Sequence, residues 1–531
     1  MPDLSSVDHN TQPPTIQFPE VYNAAHDLIE RNLLAGRGEK PAFIDDHTSL
    51  SYAALAARVN HFANALLKSG VRREDRVLIC MHDTVDWPVA FLGAIKAGVV
   101  PIAANTMLKQ ADYAFMVADS RARAVFASAS LMSLFDGLLE SNDSLEQLIE
   151  VGDTPDGNQG SPFFMDRTSQ PDAQAFESAQ TSPDEACFWL YSSGSTGQPK
   201  GTVHIHSSLI YTAELYAVPV LGIKTDDVVF SAAKLFFAYG LGNGLTFPMA
   251  VGATALLMPE RPTPAAVYQR LSGAPQPTLF YGVPTLFAAM LSVADKPASS
   301  ALALRRCASA GEALPEDVGK RFGELYGVEI LDGIGSTEML HIFLSNRPGR
   351  VRYGSTGEAV PGYEIRLLDD TGAQVPEGEI GDLVVKGPSA ASQYWNQRQK
   401  TRNTFEGEWT RSGDKYQKTP DGYYIYAGRS DDMLKVSGQY VSPFEVESAI
   451  VSHESVLEAA VVGSEDADRL VKPRAFVVLQ QDVQPSEALA QTLKDYVKEK
   501  LARHKYPRWI EFVTELPKTA TGKIQRFKLR A

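Results

Sequence analysis

Short β-rich runs alternate with amphipathic helical stretches through the first third of the chain, and this alternation restricts the fold more than any other feature. Ser51 stands where it can cap a helix over residues 52–68, in which Leu55, Val59, Phe62, Leu66 and Leu67 recur at helical spacing before Gly70 ends the pattern. A strand is expected over 76–81, a helix over 86–97 and a strand over 99–104; residues 113–118 and 122–127 read as a further pair. Such βαβ order favours parallel sheets covered by helices, so an α/β body is predicted.

Residues 154–184 are rich in Gly, Pro, Ser, Asp and Gln and read as a surface connection or subdomain seam rather than packed structure. Alternation resumes with strands over 186–191, 228–233, 278–283, 304–310 and 329–334 and helices over 264–271 and 315–326. After Arg350 the β runs are short and Gly-bounded, as at 364–368 and 383–386, which predicts a barrel-like or antiparallel subdomain. Helices over 443–453 and 487–502, with strands over 459–463, 475–479 and 509–513, then fit a small α+β domain.

Composition narrows the partners. Fifty Lys and Arg stand against 64 Asp and Glu, a formal charge of −14, so nucleic acid or an anionic membrane would meet an adverse field. The longest nearly uninterrupted apolar run, 247–259, is thirteen residues, short of the ~20 that a membrane-spanning helix needs. Cys80, Cys187 and Cys307 are far apart and lack CxxC spacing, which argues against a disulfide framework or a cysteine zinc site. Residues 1–20 have neither a basic nor an apolar leader segment and read as a flexible arm, so a cytoplasmic protein acting on small molecules is expected, with a homodimer left open.

The most specific local signal is YSSGSTGQPKG at 191–201, directly after an apolar β run and before a helical stretch beginning near Ser207. It reads as a phosphate loop. Hydroxyls of Ser192, Ser193, Ser195 and Thr196 can donate to phosphate oxygens, Gly194 and Gly197 let backbone amides approach, and Lys200 supplies positive charge. The spacing is not Walker A, and neither GxSxG nor HExxH occurs, so hydrolases of those kinds are unsupported.

The loop resembles the phosphate-loop signature of the adenylate-forming superfamily, which contains acyl-CoA synthetases, peptide-synthetase adenylation domains and firefly luciferase. Further blocks agree in order: SAGEAL (309–314), DGIGSTE (332–338), GDLVVKG (381–387), TRSGD (410–414), GRSDDMLKVSGQYVSPFEVE (428–447) and PKTATGKIQR (517–526). The resemblance implies an α/β N-terminal adenylate-forming domain over 21–430, with two sheet–helix subdomains and a β-barrel-like subdomain. It also implies a small α+β C-terminal domain over 431–531 on a hinge. Two half-reactions are implied as well, using ATP, Mg²⁺ and coenzyme A: a carboxylate attacks the α-phosphate to give an acyl adenylate and pyrophosphate, and a thiol then displaces AMP. Such chemistry needs no side-chain nucleophile, because the substrate attacks and the protein positions it and neutralises growing charge.

Carried onto this sequence, the resemblance makes Lys523 the lysine bridging carboxylate and α-phosphate during adenylation and Glu338 the carboxylate of the Mg²⁺ site. Asp414 would accept the ribose hydroxyls and Arg429 would reach ribose or phosphate. Gly311, Glu312, Ala313 and Gly333 would form the adenine slot, with Asp332, Ile334, Gly335 and Thr337 beside it. Asp431 matches the hinge; Lys435, Ser437 and Gly438 would face the site after the swing, with Ser437 and Gly438 toward coenzyme A. Taken singly, Asp414 or Glu338 would read as a helix-capping or turn residue and Arg429 as a surface ion-pair member; the ordered blocks lift them.

The acyl pocket is expected from KLFFAYG (234–240), the strand end at 333–335 and MLHIF after Glu338. Many relatives carry an aromatic–His pair where this chain has Phe236 and Phe237, and the usual Tyr-Gly is here Ile334-Gly335. Tyr239 and His341 with Ala238 and Ile342 would make a short, partly aromatic slot suited to a flat aryl carboxylate and too blunt for a long acyl chain. FFAYGLGN together with STEMLHIF resembles the benzoate-activating CoA ligases of the superfamily, which implies benzoate. The few residues after the lysine loop leave no room for a fused carrier domain, so free coenzyme A is the expected acceptor; a stand-alone aryl adenylation enzyme serving a separate carrier protein, or a catalytically silent nucleotide-binding member, are the alternatives.

Overall fold

Helical spacing and a Ser cap produce the helix Tyr52–Lys68. Ser51 accepts the Ala54 amide, and Leu55, Val59, Phe62 and Leu66 are buried on one face; Leu67, grouped with them by spacing, is instead exposed. The computed structural model describes residues 3–153, 155–158, 161–164, 175–193, 199–430, 432–436, 439–466, 470–518 and 524–530.

Helix–strand alternation resolves into two large sheets. In the first, strands Ala186–Ser193, Val100–Ala103, Arg76–Cys80, Ala124–Ser128 and Gln147–Val151 lie side by side in parallel, and Pro199–Ile205 and then Gln393–Tyr394 extend the sheet antiparallel at one edge. In the second, Pro41–Ile44, Thr254–Leu256, Val228–Ser231, Leu279–Gly282, Arg306–Ser309 and Ile330–Gly335 run parallel, with Ile342–Ser345 and Glu358–Ala359 antiparallel beyond them. Helices cover the faces; Asp86–Lys96 is buried along its whole length, as expected for a helix between layers.

Residues after Arg350 form the antiparallel sheet foreseen from their short β runs, Glu364–Leu368, Ile380–Lys386, Trp409–Lys418 and Tyr424–Arg429 among them. Beyond residue 432, the hairpin Leu434–Val436/Gln439–Val441, the helices Pro443–Val451 and Glu487–Lys500 and the strands Val456–Glu465, Val471–Leu479 and Trp509–Phe512 enclose a separate core. The architecture is a mixed α/β one with a large N-terminal and a small C-terminal domain.

Two expectations are corrected. The arm expected over residues 1–20 contains an antiparallel hairpin, Ser6–Asp8 with Thr15–Gln17, anchored where Ser5 Oγ donates to Asp27 at 2.6 Å. Its polar composition hid an anchor that lies 22 residues away. The Gly/Pro/Ser-rich connection is packed in part: Phe163 and Phe164 are buried against Phe62 and Phe126, so two aromatics bury their area despite a loop composition.

Candidate active site

Ligands in α/β proteins gather at the carboxyl ends of parallel strands, and two blocks of the expected residues, 311–313 and 332–338, occupy such ends. Strand Arg306–Ser309 runs into the loop holding Gly311, Glu312 and Ala313, where Gly311 has φ +96°, a backbone that other residues rarely adopt. Strand Ile330–Gly335 carries Asp332, Gly333, Ile334 and Gly335 and leads to Thr337 and Glu338. A Cβ on Gly335 would lie 2.5 Å from the His341 carbonyl, and one on Gly333 would lie 2.9 Å from that of Leu344. These glycines therefore serve the tight crossing of Ile330–Gly335 with Ile342–Ser345.

Lys200 and Glu338, 138 positions apart in sequence, meet as an ion pair. Lys200 Nζ donates to Glu338 Oε1 at 2.9 Å and to the Tyr394 hydroxyl at 2.8 Å; that hydroxyl donates to the same Oε1 at 2.7 Å, and Nζ lies 4.2 Å over the Tyr394 ring. Burial alone pushes the Glu338 carboxyl up, but the Lys200 charge and the hydrogen bonds from Lys200 and Tyr394 outweigh it and hold the group below its ordinary value. Burial, then the Glu338 charge, raise the Tyr394 phenol, so it remains a neutral donor; Arg429 is close enough to oppose that rise. Ser192 stands opposite Lys200 in the strand register, its hydroxyl buried with no partner among the described residues. Thr337 is held by its carbonyl, which accepts from His204 Nε2 at 2.8 Å; burial drops that imidazole to about 4, so it stays neutral.

Asp414 and Arg429 face each other across paired strands, with Arg429 Nη1 3.3 Å from Asp414 Oδ1. Asp332 is buried, accepts the Leu314 amide at 3.4 Å, and is pushed well above the usual carboxylate range by burial; its Oδ1 meets no described partner.

The acyl block packs into an aromatic cluster around His341. The His341 ring sits 4.5 Å from Phe247 edge-on, 5.4 Å from Tyr216 and 5.5 Å from Tyr239, and its Nε2 donates to Tyr239 O at 3.3 Å. Burial lowers His341 to about 3, so the ring is neutral. Phe236 and Phe237 pack on each other at 4.5 Å, Phe236 within the core; Ala238 is partly buried and Ile342 fully buried. Buried polar atoms without described partners gather here: Tyr216, Tyr239 and Tyr281 hydroxyls, the Asn243 amide and His341 Nδ1.

The structure thus brings Lys200 to Glu338, Asp414 to Arg429, and Tyr239 to His341. Gly194, Ser195, Thr196, Gly197, Asp431, Ser437, Gly438 and Lys523 lie outside the described residues, as do the side chains of Ser193 and Lys435. Sequence reasoning missed Tyr394, His204, Asn243 and Tyr281. Tyr394 sits in a two-residue strand, too short for periodicity; its only signal was an aromatic pair, Tyr394-Trp395, on a stretch with no other core pattern.

A family model for AMP-binding enzyme matches residues 30–395, and one for the AMP-binding enzyme C-terminal domain matches residues 445–523. The chain belongs to the AMP-binding enzyme family. Among AMP-binding enzymes it is 60% identical over 530 residues to the Benzoate–CoA ligase of Thauera aromatica, covering 99% of each chain. The solved benzoate CoA ligase of Burkholderia xenovorans LB400 superposes with a TM-score of 0.88 at 56% identity, over 96% of this chain and 100% of the other. An anthranilate CoA ligase in complex with anthranoyl-AMP gives a TM-score of 0.90 at 43% identity, over 96% and 97%. The C-terminal match ends at position 523, the lysine singled out by its loop.

Proposed function

We propose that this AMP-binding enzyme is an ATP-dependent, AMP-forming benzoate–coenzyme A ligase. The observation that carries the reading is the 60% identity to a benzoate–CoA ligase over 99% of both chains, which spans the nucleotide and acyl residues alike. The aromatic rings gathered at Tyr239 and His341 support a flat substrate ring, against which they can stack. Benzoate's carboxylate attacks the α-phosphorus of ATP, pyrophosphate leaves, and the coenzyme A thiol then attacks the acyl carbon, releasing AMP and a proton.

In this reading Lys200 and the phosphate-loop hydroxyls neutralise the triphosphate, Asp414 holds the ribose, and Lys523 bridges carboxylate and α-phosphate. Glu338 fits a site for Mg²⁺: its hard oxygens are kept ionised by Lys200, and among the described residues no His, Cys, Asp or Glu cluster forms a full metal cage, the pattern of an ion bound by one carboxylate and substrate phosphates. When bound, the ion would neutralise charge on the departing pyrophosphate. Asp431 is the hinge on which residues 431–531 turn, bringing Lys435, Ser437 and Gly438 to the thiol. The three buried free cysteines suit a reducing cytoplasm.

An AMP-release assay over aryl, alicyclic and fatty acids tests the reading. Benzoate with ATP and coenzyme A should turn over with no carrier protein present, ahead of every acid chain longer than about six carbons, the reach of a ring-sized slot. Lys523→Ala should lose adenylation far more than thioester formation from preformed benzoyl adenylate. Release of AMP that requires a carrier protein would support the stand-alone adenylation alternative instead, and absent pyrophosphate exchange would support the silent one.

A further inference from the structure

The segment 389–395 is stitched to both sides of the nucleotide site. Ser389 Oγ donates to Met339 O and Ala391 N to Glu338 O, each at 2.7 Å; Ser392 N donates to Val203 O at 2.9 Å and Trp395 N to Gly201 O at 2.8 Å. Trp395 Nε1 donates to Asp119 O at 2.9 Å, and the Asp119 carboxylate accepts the Tyr191 hydroxyl at 2.7 Å, at the first residue of the phosphate loop. Backbone and neighbours therefore fix Tyr394 between the strand of Lys200 and the loop of Glu338. Its amide donates to Thr401 Oγ1 at 3.1 Å and its ring lies 5.3 Å from Phe405.

Lys200 cannot serve both Glu338 and a triphosphate at full strength. Phosphate oxygens offer a charge-assisted bond of at least equal quality, so nucleotide arrival draws Nζ from Oε1. Once Lys200 leaves, Tyr394 is the described side chain still donating to that oxygen. We propose that Tyr394 is a positioning residue of the nucleotide site, holding Glu338 by Oε1 so that Oε2 faces the metal–nucleotide complex after Lys200 moves to the phosphates. This rests on the roles given to Glu338 and Lys200 above.

Tyr394→Phe removes the hydroxyl and keeps the ring over Lys200. Calorimetry with Mn²⁺ and a non-hydrolysable ATP analogue should give about tenfold weaker binding, the worth of one hydrogen bond to a charged group. Binding of the analogue without metal, the KM for benzoate and thioester formation from preformed benzoyl adenylate should stay within about twofold, the scatter of a near-neutral change. In a Glu338→Gln background the hydroxyl should cost nothing further. Equal weakening with and without metal, or no weakening at all, overturns the proposal, as does a Tyr394→Phe effect that persists undiminished beside Glu338→Gln. Glu338→Gln with unchanged metal–nucleotide binding would instead overturn the assignment of Glu338.

Discussion

Asp83 follows the strand Arg76–Cys80 of the first sheet and is buried, yet its carboxylate accepts the Leu235 amide at 3.1 Å, at the start of the acyl block. Burial raises its carboxyl to about 6, against the opposing pull of Lys234 and that amide. The folded chain therefore binds this proton more tightly than the unfolded chain, so the contribution is fully present below about pH 4 and lost as pH rises through about 6. Asp83→Asn removes it: denaturation at pH 4.5 and 7.5 should show the stability difference moving in the variant's favour by roughly 2 kcal/mol at the higher pH. A pH-independent difference would exclude the titration. Residues of this kind are illegible in sequence, since the contact joins positions 152 apart. Lys200, Glu338 and Asp414 are legible because each stands in a block that resembles the superfamily, whereas Tyr394 reaches Glu338 across 56 positions with no motif of its own.

At the scale of elements, periodicity revealed whatever a single segment determines: the helix Tyr52–Lys68, the parallel strands and the Gly-bounded antiparallel ones. It did not reveal the π-helical turns Ala213–Leu221 and Gly242–Thr246, whose extra residue per turn comes from packing rather than pattern. The second turn packs on the aromatic cluster around His341. Gly242 has ordinary right-handed dihedrals, but a Cβ there would lie 2.4 Å from His341 Cδ2 and 2.7 Å from its Nε2. Gly242→Ala should therefore displace the imidazole within the aromatic cluster without straining the backbone. Overpacking of this kind costs about 1–3 kcal/mol, so the KM for benzoate should rise roughly tenfold or more. Steady-state kinetics should leave the KM for ATP unchanged, and equal changes in both would point to a collapsed domain instead.

On the proposed function, the small domain must be coupled to chemistry built on the large one. The described residues on either side of 519–523 are tied down: Lys518 pairs with Ile524, and Gln525 N donates to Pro517 O at 2.8 Å. Arg526 then donates from Nε at 3.1 Å and Nη2 at 2.8 Å to the buried Glu447 carboxylate, and its Nη1 lies 3.5 Å from Asp432, which Arg530 also reaches. The end of the lysine loop is thus strapped to the residue following the expected hinge. Removing one partner of a buried pair costs roughly 3–5 kcal/mol, enough to release the strap without dismantling the core of the large domain. If Lys523 acts in adenylation, Arg526→Gln should slow pyrophosphate exchange at least about tenfold. Thioester formation from preformed benzoyl adenylate should change much less, because the proposed function assigns that step to Lys435 and Gly438 rather than to the lysine loop. Parallel loss of both half-reactions in a protein that still folds would mean that the strap supports the domain generally, whereas an unchanged exchange rate would mean that the loop holds its place without it.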